Sequence, residues 1–142
     1  MWRLPDPALD RRHELVLDDK FTCRLGDERH FISCELEVPF KTDDLTPLGF
    51  ICWAEVDRAT YEAYRAYRAN EQALPEYGDL VRGTLANPIP QVPGSFGTPI
   101  GFKVLCGDPT PYIHWVAPES AVSALLERGA TVAYWHSAMG VD

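Results

Sequence analysis

Residues 48–56, Leu-Gly-Phe-Ile-Cys-Trp-Ala-Glu-Val, constrain this chain more than any other stretch. Leu48, Phe50, Cys52, Ala54 and Val56 point one way in an extended segment; Ile51 and Trp53, with Gly49 and Glu55, point the other. Side chains alternate across a strand, so apolar residues on both parities describe a central strand covered on both faces. Asp57 follows and is placed to cap a helix over residues 57–70. At about 100° per residue, Ala59, Ala63, Ala66, Tyr64 and Tyr67 share one arc, and Arg58, Glu62, Arg65 and Arg68 occupy the other, with Tyr61 at the border. The alanines are expected to let this helix approach a sheet closely, with tyrosines filling the flanks.

The rest of the chain supplies neighbours for that strand. Residues 20–26 alternate, with Phe21, Cys23 and Leu25 inward and Lys20, Thr22 and Arg24 outward. After a turn at Gly26-Asp27-Glu28, residues 30–38 alternate again: Ile32, Cys34, Leu36 and Val38 face in, Ser33, Glu35 and Glu37 face out, and Phe31 is an exposed exception. These runs read as a hairpin with one wet face, continued by 48–56 into a meander. Further strands are expected over 79–86, from Ile100 to Cys106, and over 112–116, where Ile113 and Trp115 share one face and His114 takes the other. Asp6 and Pro7 open a short helix over 6–13. A second helix spans 118–128, with Val122, Leu125 and Leu126 on one stripe and Gly129 past its end. Residues 131–136 read either as a helix capped by Thr131 or as an edge strand. The prolines and glycines of 87–99 forbid both helix and ladder, leaving a long loop. The expectation is one domain over 1–142 of α+β class: a mainly antiparallel sheet of about five or six strands with two or three helices packed on it.

Charge and composition narrow the function classes. The formal charge of −8 disfavours a phosphate backbone as partner, so nucleic acid is not expected. No leader precedes the first apolar segment and no run approaches the ~18 residues of a membrane span, so a cytoplasmic protein without a membrane partner is expected. Cys23, Cys34, Cys52 and Cys106 form no Cys-x-x-Cys pair and sit in phase with apolar neighbours, as reduced, buried thiols do.

Residues 27–39, Asp-Glu-Arg-His-Phe-Ile-Ser-Cys-Glu-Leu-Glu-Val-Pro, followed by the Gly-Phe-Ile-Cys-Trp strand, resemble a bacterial family of uncharacterised proteins, domain of unknown function 2199. The matching positions are Phe31, Ile32, Leu36, Glu37, Val38 and Pro39, then Gly49 and Trp53, and the likeness runs through the Gly-Thr-Pro loop at Gly97–Pro99 to Gly129. Many members carry a Cys-x-x-Cys-Gly segment near the N-terminus. This sequence has none, so no metal carries over. The resemblance implies a bacterial, cytosolic α+β domain and brings no activity.

The residues themselves offer few catalytic constellations. Cys23, His30 and Cys34 have a spacing that zinc could use on a hairpin, but both cysteines face the core while His30 lies by the turn, so no metal is expected. Ser95 sits in Pro-Gly-Ser-Phe-Gly, which is not a nucleophile elbow, and Gly94–Gly97 lacks the lysine and helix of a phosphate loop. No catalytic residue and no cofactor is assigned. The leading expectation is a non-enzymatic protein-binding module, comparable by analogy with an immunity protein, that meets a basic protein through Asp43, Asp44, Glu71, Glu76 and Asp79. The alternative is an enzyme or small-ligand protein with an aromatic-lined pocket at Trp53, Tyr112, His114 and Trp115.

Overall fold

The computed structural model describes residues 4–40, 48–69, 80–103, 110–131, 133 and 134. Among them are strands β1 (Leu15–Asp19), β2 (Thr22–Leu25), β3 (Arg29–Val38), β4 (Leu48–Val56), β5 (Val81–Leu85), β6 (Pro99–Lys103) and β7 (Tyr112–Val116). They pair in chain order, each antiparallel to the next. β3, already paired with β2 and β4, takes β7 as a third partner, in parallel, at Glu35 and Tyr112. That contact closes β3–β7 into a five-stranded barrel, with β1 and β2 as a hairpin extension.

The expected α+β sheet with helices laid on it is therefore not the architecture. The reason lies in the lengths of the strands. β3 has 10 residues and β2 only 4, so β2 covers part of one edge of β3. The Ser33 N–H donates to Phe21 O at 2.8 Å, and two residues on the Glu35 N–H donates to Pro111 O at 2.9 Å. An uncovered half-edge would leave backbone donors unpaired, and the last strand satisfies them. Closure also needs close backbone approach at β5. A Cβ on Gly83 would meet Glu55 O at 2.7 Å, so glycine is required there.

Helices are short: α1 (Arg58–Ala69) and α2 (Ala121–Arg128). Two 3-10 turns, Asp6–Ala8 and Arg12–Glu14, replace the expected helix over 6–13, and β1 follows where no strand was expected. Asp57 caps α1 as anticipated, its Oδ1 accepting from Thr60 N–H at 2.7 Å. The helix is rotated from expectation, however. Tyr61, Tyr64 and Tyr67 form the buried stripe, and Ala59, Ala63 and Ala66 are exposed. Three rings one turn apart bury far more apolar area than three methyl groups, which decides which arc faces in.

Two hydrophobic clusters result. Inside the barrel lie Ile32, Cys34, Leu36, Phe50, Cys52 and Phe102, joined by the α1 tyrosines and by Val122 and Leu125 of α2. Outside it, Ala8, Cys23, Leu25, Phe31, Trp53 and Ala86 make a second cluster. Phe31 and Thr22, expected to be exposed, are fully buried. The outer face of β4 is covered only around Trp53: Ile51 is 75% exposed. The proline-rich stretch is ordered by its own side chains. Buried Ser95 Oγ accepts from Ile89 N–H and donates to Val92 O, both at 2.7 Å, and Thr98 Oγ1 donates to Ser95 O.

Candidate functional site

The acidic residues expected to meet a partner, Asp43, Asp44, Glu71, Glu76 and Asp79, lie outside the described residues, as does Cys106. The aromatic group expected to line a pocket is divided. Trp53 is 3% exposed and packs in the outer cluster, which holds no residue of β7. Its backbone N–H donates to Asn87 Oδ1 at 2.8 Å. Trp115 lies elsewhere on the barrel, opposite Gly101, with the Arg82 guanidinium 4.8 Å from its ring centroid. His114 is exposed, and Tyr112 is half-buried at the β3–β7 closure.

The cysteine chemistry is equally separated. Cys23 faces the outer cluster, whereas Cys34 faces the barrel interior, directly opposite Cys52, with the two sulfurs 3.9 Å apart. Burial pushes the Cys23 thiol up to about 12, with the Asp18 carboxylate adding to the effect. The hydrogen bond with Cys52, then burial, hold Cys34 well above the ordinary thiol range. Neutral thiols are poor nucleophiles and poor ligands. Ser95, committed to two loop hydrogen bonds and fully buried, is structural. Among the described residues no group of three or more His, Cys, Asp and Glu side chains is arranged to hold a metal. No described helix is long and apolar enough to cross a membrane.

One concave site does assemble charged groups from separate elements. A cavity of about 260 Å³ opens between the β2–β3 hairpin and α1, lined by Arg24, His30, Arg58, Tyr61 and Arg65, with Asp27 and Glu62 at its rim. Its geometry rests on Asp18 of β1, whose side chain is 11% exposed. One oxygen, Oδ2, accepts from Tyr61 O–H and from Arg24 Nε at 3.2 Å. The other, Oδ1, lies 3.9 Å from Arg65 Nη1. Burial, and then the bond to Asp18, keep the Tyr61 phenol protonated well above its usual range. The His30 and Tyr61 rings sit 5.0 Å apart, tilted by 53°, and give one side a rigid wall. Arg24 also donates to Gly26 O at 3.1 Å, and Arg58 to Glu62 Oε1 at 3.2 Å, an i,i+4 pair.

The sequence carried part of this signal. Arg58 and Arg65 stand seven residues apart on one helix face. What it did not carry was Asp18 beneath them, because β1 was not recognised as a strand, nor Arg24 beside them, because hairpin and helix meet only in the fold.

The model of a family described as an uncharacterized protein conserved in bacteria (DUF2199) matches residues 4–129. No curated protein and no solved structure matches the chain.

Proposed function

The chain belongs to this family of uncharacterised bacterial proteins, and on that premise we propose that it is a non-enzymatic protein-binding module for a basic partner protein. The observation that carries the reading is the charge, −8 over 142 residues, with acids gathered in stretches free of cations. Residues 71–79 hold Glu71, Glu76 and Asp79 with no Lys or Arg, and residues 42–47 hold Asp43 and Asp44, again with none. A basic protein approaching so acidic a chain gains on-rate from the field, and the bound state gains complementarity. Small acidic proteins that neutralise basic toxins are one setting for such a module, by analogy. The buried, protonated thiols and the structural role of Ser95 offer no competing catalytic reading.

The test is capture of a partner from native lysate with the full chain, then stopped-flow association at two ionic strengths. Reversing charge at Asp43, Asp44, Glu76 and Asp79 is expected to slow association and flatten its salt dependence while leaving melting nearly unchanged. An on-rate indifferent to both salt and charge reversal would overturn the reading and leave the charge serving solubility alone.

A further inference from the structure

We propose that the cleft between the β2–β3 hairpin and α1 is an anion site, and that its ligand is a phosphoryl dianion, free or as a small monoester. Three guanidinium groups, from Arg24 on β2 and from Arg58 and Arg65 on α1, converge on one small cavity. Each carries five N–H donors in a planar fork, and little of that capacity is used. Arg24 spends two donors, on Asp18 and Gly26 O; Arg58 spends one, on Glu62. Among the described residues Arg65 makes only the 3.9 Å approach to Asp18, beyond hydrogen-bond range. A phosphoryl group has three terminal oxygens and can take a fork from each arginine, whereas a carboxylate has two oxygens to offer.

The charges decide which groups a ligand would replace. Asp18 is almost covered and is held by Tyr61 and Arg24, so it stays as the fixed floor that aims the arginines. Asp27 and Glu62 are rim acids, 79% and 66% exposed, at 3.6 Å from Arg24 and 3.2 Å from Arg58. Exposed pairs of this kind contribute about 0–1 kcal/mol, so an oxyanion can displace them. With those two turned aside, the forks of Arg24 and Arg58 are released to the ligand's oxygens while Asp18 stays in place. The acidic surplus elsewhere does not prevent this, because charges more than about 8–10 Å away are largely screened at ordinary salt. The cavity is below the ~300 Å³ at which drug-sized pockets begin, which suits a phosphoryl group with a small substituent rather than a nucleotide cofactor.

The experiment titrates the ¹⁵N-labelled full chain with inorganic phosphate at mildly alkaline pH, against chloride at matched ionic strength, reading the backbone and arginine Nε resonances. Saturable shifts confined to residues around Arg24, Arg58 and Arg65, absent with chloride, are expected. Acetate should bind about tenfold more weakly, and R65Q and R58Q should each weaken phosphate about tenfold, the loss of one charge-assisted contact. Both side chains are largely exposed, at 46% and 63%, so unchanged melting of the variants shows that the loss is not unfolding. Methyl phosphate serves as the ester arm: equal or tighter binding assigns a monoester, and exclusion assigns the free ion. Shifts that fail to saturate, that chloride reproduces, or that R65Q and R58Q leave unchanged overturn the proposal.

Discussion

The inner and outer clusters share the same two strands and are built in different ways. Even-numbered residues of β3 and β4, Ile32 to Val38 and Leu48 to Val56, enter the barrel, where five strands and both helices close over them. The outer cluster takes Phe31 and Trp53 from the same strands, but its cover is local: the hairpin and the N-terminal segment. That segment is tied down largely by one side chain. Asn87, 2% exposed, accepts from Trp53 N–H and donates to Leu4 O at 2.8 Å and to Asp6 Oδ1 at 3.1 Å, while Asp6 N–H donates to Ala86 O. The inner cluster is thus held by topology, and the outer one by a few hydrogen bonds. Removing a core ring should break the first, and removing an amide should break the second.

Phe102→Ala should be the larger loss. The ring is fully buried inside the barrel, and its removal is expected to cost ~3–5 kcal/mol in urea unfolding. Asn87→Ala should cost ~1–3 kcal/mol, because it leaves the buried Trp53 N–H without its acceptor and removes the amide's bonds to Leu4 O and Asp6 Oδ1. Its signature would be amide exchange quickening around residues 4–8 and 53 while the barrel interior stays protected. Equal losses, with equal loss of protection everywhere, would mean that the clusters behave as one.

The thiols sharpen the same contrast at smaller cost. In native protein Cys23 is expected to react with a thiol reagent faster than Cys34 and Cys52, since its cover opens locally and theirs only with the barrel. Alkaline pH should then erode stability. The folded Cys23 pKa is raised from 9.0 to about 12, so its contribution is whole below the unfolded value and is lost as pH rises toward the folded one. Burial moves Tyr64 the same way, from 10.0 to about 12. Urea midpoints should therefore fall above pH of about 9 and hold level between neutrality and that point. Cys23→Ala should flatten part of that fall.

What the sequence disclosed follows the same division. The strand alternation of β2 to β4, the cap at Asp57 and the burial of Ile32, Cys34, Leu36 and Val38 are local facts, and local pattern carried them. Closure was not legible, because the β3–β7 contact joins residues far apart in the chain and leaves no periodicity. Phe31 breaks no rule of alternation either. It is buried because the N-terminal segment folds back over it, which the pattern of residues 20–38 alone does not reveal. The arginine cleft depends on Asp18 lying under α1, again a contact across the chain.

The smallest expected effect lies at the cap that opens α1, outside both clusters. Asp57 Oδ1 accepts from Thr60 N–H at 2.7 Å, and hydrogen bonds from the Thr60 side chain and backbone hold its carboxyl below the ordinary carboxylate range. A depressed folded pKa contributes stability that is present above the unfolded value and lost as pH falls through the folded one. Asp57→Ala should therefore cost ~1 kcal/mol near neutrality. The difference from wild type should shrink in acid, as protonation weakens the cap. Asp57→Asn keeps an acceptor oxygen and should lose only a few tenths of a kcal/mol, with no acid dependence of its own. The tyrosine stripe anchors α1 beyond the first turn, since Tyr61, Tyr64 and Tyr67 remain in the inner cluster whatever happens at the cap. Hydrogen exchange should accordingly quicken at residues 58–61 alone. Quickening that spreads to β3 and β4 would show that the cap supports the whole inner cluster and not the first turn of α1 alone.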